Sequence, residues 1–144
     1  MGFRREARIV ALQTLYELDC TDHSAEQVLA RVANEKHLLQ EALTFSQRLV
    51  EGVLQHRRRL DQAITEFAPA FPVEQMAAID RNILRLAIFE ILLDSGTPTK
   101  VAINEAVELA KAFGSNSSPR LINGILGSVV AKYGARGARD ESVN

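Results

Sequence analysis

Apolar residues recur along this chain at intervals of three and four with almost no strict alternation, which predicts helices throughout and requires no strand. Over residues 4–18, Ile9, Leu12, Leu15, Tyr16 and Leu18 form one broad stripe. Residues 21–24 interrupt it. Ser24 with Gln27 has the spacing of a capping box, in which each side chain satisfies backbone donors at a helix start. The helix that follows carries Val28, Leu29 and Val32 and fades between Asn34 and Leu39. From about Glu41 a longer third helix is expected, with Phe45, Leu49 and Val53 on a stripe that Leu60, Ile64 and Phe67 continue. Pro69 and Pro72 end it, because proline disfavours helical geometry in the residue before it.

Residues 73–93 are apolar over more than half the helical circumference, through Met76, Ile79, Ile83, Leu84, Ala87, Ile88, Ile91 and Leu92, the pattern of a helix enclosed by others. After a break at residues 95–98, a fifth helix over 99–113 turns Ile103, Ala106, Val107, Ala110 and Phe113 inward, and Gly114 stops it. Ser118 followed by Pro119 combines a side-chain cap with a φ already set for a helix. The last helix buries Leu121, Ile122, Ile125, Leu126, Val129 and Tyr133 and ends at Gly134. Short connections favour antiparallel neighbours, so the reading is an all-α bundle over residues 1–134 as a single domain, its sub-bundles sharing the helix of 73–93. Residues 135–144, mostly Gly, Arg and acids, are expected to be a disordered tail.

Composition narrows the function classes without naming one. A chain of 144 residues with 47% hydrophobic content can form a core without metal or disulfide. Cys20 has no intrachain partner, which fits a reducing compartment. The first eleven residues alternate arginine with apolar residues and lack the continuous apolar core of a signal peptide or membrane span, so a cytoplasmic protein with no membrane association is expected. Seventeen Lys and Arg against 18 Asp and Glu leave a net charge of −1. That excludes nucleic-acid binding by bulk positive charge and leaves only a local patch.

Catalytic signatures are missing. There is no Gly-rich phosphate loop, G-x-S-x-G or His-Glu-x-x-His. Cys20 and His23 have the spacing of half a zinc site, but the other half never appears, so no metal, cofactor or enzymatic activity is expected. Their ordinary reading is a buried thiol and a loop histidine, with His37 and His56 on the surface.

The basic residues are more suggestive. Arg4, Arg5 and Arg8 occupy the first two turns of the first helix, and Arg4 and Arg8 share a face. Cations at the positive end of a helix dipole each cost a few tenths of a kcal/mol, up to about 1 kcal/mol, and a phosphate would relieve this; Glu6 and solvent screening are the plainer alternative. Residues 56–59 point around most of the axis and form no flat patch. Lys111 and Arg120 flank the polar loop of residues 115–118, where helix-start amides and hydroxyls could hold an anion or simply be a capped surface turn. Asn104 within a helix, and Asn123-Gly124 in the last one, suggest local backbone bonding and close helix approach, since glycine there costs about 1 kcal/mol against alanine.

These residues fall into ordered motifs. Ile79-Asp80-Arg81, Ile83-Leu84-Arg85-Leu86-Ala87 and Phe89-Glu90 are followed by Pro98, the run from Val101-Ala102-Ile103-Asn104-Glu105 to Lys111, Phe113-Gly114, and Asn123-Gly124-Ile125-Leu126. With Arg4-Arg5, Ala7-Arg8 and Leu15-Tyr16, the chain resembles the NusB family of transcription antitermination factors over residues 4–130.

The resemblance implies two three-helix bundles, no catalysis, and recognition of boxA single-stranded RNA in partnership with NusE, a small-subunit ribosomal protein, within the RNA polymerase antitermination complex. It assigns RNA contacts to Arg4, Arg5, Arg8 and Tyr16 and to Ser117, Ser118, Arg120 and Asn123, with Lys111 close by. The two clusters would then meet on one surface. Phe67, Glu74 and Asp80 are assigned to the NusE face, and NusE would add basic surface to a chain that lacks it overall. Glu6 interrupts an arginine run, Leu121 stands where some relatives have an aromatic, and Gly127 replaces a common acid; the first two bear on RNA affinity rather than fold. Some members form homodimers that hide the RNA-facing surface. Two other readings stand beside this one. A similar helical domain begins certain ribosomal RNA cytosine methyltransferases, of which this chain would be a detached RNA-binding module, and a helical interaction protein could have lost its RNA surface.

Overall fold

A computed structural model of the chain describes residues 2–94 and 96–134. Seven α-helices and no strand occur among the described residues, in two compact units, Met1–Gln55 and His56–Asn144. The expected tail over 135–144 lies outside the described residues.

The first unit is a three-helix bundle of α1 (Gly2–Cys20), α2 (Ala25–Glu35) and α3 (Gln40–Gln55), with α1 packed on both partners. Leu12 and Leu49 are completely buried, each contributing on the order of 2 kcal/mol of hydrophobic stabilisation. The Ser46 hydroxyl donates to the Ala7 carbonyl at 2.7 Å and locks α3 against α1. Ser24 caps α2 as expected, accepting from the Gln27 amide. The fading of α2 is a Schellman turn. The Leu38 amide bonds the Ala33 carbonyl, the His37 amide bonds that of Asn34, and His37 takes the left-handed φ of 53° that glycine normally supplies. Cys20 is exposed rather than buried, since α1 continues to it past the apolar stripe.

The second unit contains α4 (Arg57–Phe67), a 3₁₀ turn (Val73–Gln75), α5 (Ala78–Ile88) ending in a π turn (Phe89–Leu93), α6 (Thr99–Phe113), and α7 (Ser118–Val129) ending in a second π turn (Val130–Gly134). It holds four α-helices rather than three, because the stretch expected as one third helix breaks at His56. There φ is −107° and ψ 17°, and the imidazole, half-buried rather than on the surface, stacks on Phe89 with centroids 6.2 Å apart. No glycine or proline marks that break. Residues 73–93 are also not one helix. Met76 is extended, and one Arg81 guanidinium nitrogen donates to the carbonyls of Val73, Glu74 and Met76, holding the 3₁₀ turn at the head of α5. As expected, α5 is central, packing on α4, α6 and α7 with Ile83, Leu84 and Ile88 fully buried. Beneath it Arg85, 3% exposed, forms a two-pronged bond to Asp61 at 2.8 and 3.1 Å. Gly124 has open space where a Cβ would lie, so close helix approach does not explain it.

Candidate nucleic-acid interface

Helix α1 turns Ala7, Val10, Ala11, Leu12 and Leu15 into the first unit, which leaves Arg4, Arg5 and Tyr16 exposed. Arg5 and Tyr16 are eleven residues apart, about three turns, so both project from the same side of α1, about 16 Å apart along the axis. Arg8 departs from the expectation of an open phosphate ligand. It is 4% exposed, and its guanidinium carbon sits 5.3 Å from the Phe45 ring centroid. Arg4 approaches the same ring at 5.2 Å and Arg48 at 5.3 Å, distances at which cation–π attraction operates. Phe45 and Arg48 are the residues that sequence reasoning missed here. Their signal was the i, i+3 spacing on α3, which means little until α3 is known to lie on α1.

A second cationic stretch belongs to the other unit and surrounds the start of α7. Lys111, Ser117, Arg120 and Asn123 are exposed, with Lys111 3.5 Å from Glu108 and the Ser117 hydroxyl 3.2 Å from that of Ser115. Ser117, not Ser118, occupies the cap position. Ser118 is buried. It donates to Asp80 Oδ1 at 2.7 Å and accepts from the Ser115 amide at 2.9 Å. A Cβ on Gly114 would sit 2.5 Å from Ser118 Oγ, so the turn closes only around glycine.

Ser118 is therefore an internal fastener, and Asp80, 8% exposed rather than openly presented, is its acceptor. Glu74 is exposed, and it lines an open groove of about 580 Å³ with Arg57, Arg58, Asp61, Thr65 and Val73. Phe67 is half-buried, edge-on to Tyr133 with centroids 6.0 Å apart. Beside it Glu66 accepts from Lys132 and, at 2.7 Å, from the Tyr133 hydroxyl; the Lys132 bond foremost holds the Glu66 carboxyl below its usual value, and the same bond raises Lys132. In the first unit Arg31, then His23, lowers Glu17 in the same way.

No group of three His, Cys, Asp or Glu residues that could hold a metal occurs among the described residues. None of their helices is long and apolar enough to cross a membrane.

Comparison with known proteins agrees with this arrangement. The family model described as the NusB family matches residues 5–131. A protein of Dehalococcoides mccartyi (strain CBDB1), "Transcription antitermination protein NusB", is 56% identical over 126 residues, covering 88% of each chain. Among solved structures, NusB of T. maritima superimposes with a TM-score of 0.82 at 29% identity, covering 89% of this chain and 90% of that one. A structure described as antitermination factors NusB and NusE in complex with dsRNA has a TM-score of 0.85 at 22% identity, covering 92% and 99%, and speaks to the fold alone.

Proposed function

The chain belongs to the NusB family, and from that premise we propose that it is a cytoplasmic transcription antitermination factor, binding boxA-type single-stranded RNA together with NusE and helping to assemble the antitermination complex on RNA polymerase in support of ribosomal RNA transcription. The observation that carries this reading is the exposed Arg4, Arg5 and Tyr16 surface of α1, a local cationic and aromatic face on a chain whose net charge is −1. Single-stranded RNA is held by cations on its phosphates and by unstacked bases against aromatic or guanidinium planes. Arg4 and Arg5 suit the first role and Tyr16 the second. Arg120, Asn123, Ser117 and Lys111 offer further donors at the start of α7.

Arg8 and Ser118 serve this function by position. Arg8 reinforces the field around Phe45, and Ser118 holds the turn that presents Ser117 and Arg120. Glu74 is the exposed acid suited to a basic partner such as NusE, with Phe67 adding apolar surface and Asp80 supporting the turn beneath. The action is binding without chemical conversion of the RNA.

The test is a titration of labelled boxA-type RNA with this protein, alone and with NusE, followed by gel analysis of the RNA. Specific binding that tightens with NusE and leaves the RNA intact is expected. Absence of binding under both conditions overturns the reading.

A further inference from the structure

Arg48 lies on α3, outside the arginine-rich first helix, yet its guanidinium carbon is 5.3 Å from the ring that Arg4 and Arg8 also approach. Three positive side chains from two helices thus share Phe45, which is 7% exposed and cannot move without opening the packing of α1 on α3. One residue along, the buried Ser46 hydroxyl fixes the helices to each other through the Ala7 carbonyl.

A guanidinium resting on an aromatic ring keeps its fork of N–H donors at its edge and loses less freedom on forming each new bond than a free side chain would. Arg4 and Arg48 are exposed whereas Arg8 is buried, so Arg8 contributes charge beneath and the other two reach solvent. Convergent cations of this kind raise the local potential, and a guanidinium has five N–H donors, so the exposed edges can meet an anion beside the partners that Arg8 and Arg48 already have.

We propose that Arg48 is a phosphate contact for bound RNA, so that α1 and α3 together form one backbone-binding surface anchored on Phe45. The ligand class is the phosphodiester chain of a single-stranded nucleic acid, and the proposal rests on the RNA-binding reading above. Arg48 widens the surface beyond α1 and lies beyond the residues that the arginine motif identifies.

The experiment compares parent, Arg48→Gln and Arg48→Lys in titrations of boxA-type RNA with NusE present, across a series of salt concentrations. For single strands each neutralised phosphate contributes about 0.7 to the slope of log affinity against log salt. Arg48→Gln is expected to weaken binding on the order of threefold and to lower the slope by about 0.7, while Arg48→Lys keeps the parental slope. A folded fraction that is constant across the salt series shifts the affinity and leaves the slope unchanged, and thermal melts of each variant at the same salt concentrations check that it is constant. An unchanged slope in Arg48→Gln with a binding parent overturns the role of Arg48 and leaves RNA binding standing. A parent that fails to bind overturns both.

Discussion

The hydroxyl of Ser118 donates to Asp80 Oδ1 at 2.7 Å, joining the first turn of α7 to the first turn of α5 across 38 residues of sequence. Both side chains are buried, and the same hydroxyl accepts from the Ser115 amide, so one side chain ties together both ends of the polar turn. Ser118→Ala removes the donor and leaves a buried carboxyl oxygen short of a partner, a loss of about 1–3 kcal/mol. Asp80→Asn retains an acceptor and is expected to cost less. Urea unfolding of the two variants checks the order; equal stability of Ser118→Ala and parent would remove the fastener.

The burial of Asp80 also separates folding from partner binding. Asp80→Arg forces a cation into a site that is 8% exposed and is expected to unfold the second unit rather than only weaken pairing. Glu74→Lys changes an exposed side chain whose backbone is held by Arg81, so it is expected to weaken NusE binding with a nearly unchanged thermal midpoint. Calorimetric titration with NusE alongside thermal melts distinguishes the two, and full NusE affinity in Glu74→Lys would remove this residue from the partner face.

Periodicity alone identified the helical character and the enclosed position of α5, because Ile83, Leu84 and Ile88 each sit on its inner faces. It could not locate the break at His56. The stripe from Val53 to Leu60 keeps helical phase across it, and the stacking on Phe89 comes from 33 residues away. Arg4, Arg5 and Tyr16 are exposed at the positions the arginine motif marked. Arg8, Ser118 and Asp80 are not, and for a common reason. Residue type shows that a group can bind an anion or a base, but burial and a competing internal partner depend on tertiary packing. Phe45 was legible only as a core position, and its second role requires α1 and α3 to be side by side.

Glu66 gives the second unit an acid-sensitive clasp. Its carboxyl is held below the ordinary value of 4.5 by the Lys132 bond and then by Tyr133. A depressed folded value means the contribution to stability is present above about pH 4.5 and is lost as pH falls through the folded value. Lys132, raised above 10.5, loses its part only as pH climbs beyond that. Both groups are exposed, so the effect is modest. Melts of parent and Glu66→Gln should differ near pH 7 and draw together as pH falls below the ordinary carboxylate value and through the lowered one, and a difference independent of pH would contradict the clasp.

His37 carries the left-handed backbone at the end of α2 with a φ of 53°. A side chain in that conformation costs roughly 1–2 kcal/mol, which glycine avoids at some expense of unfolded-chain entropy. His37→Gly is therefore expected to stabilise the first unit by about 0.5–1 kcal/mol in chemical denaturation. A destabilised variant would show that the imidazole contributes more than the backbone strain removes.

The central claim is that the exposed arginines of α1 neutralise RNA phosphates. The most direct measurement is the salt dependence of boxA-type RNA binding, with NusE present, for parent and Arg4→Glu/Arg5→Glu, two exposed positions whose replacement leaves the buried Arg8 in place. The account predicts a folded protein with only a small drop in thermal midpoint, from loss of the Arg4 contact with Phe45, at least tenfold weaker binding near 0.1 M salt, and a slope smaller by about 1.4. Parental affinity and slope in the double variant would contradict it.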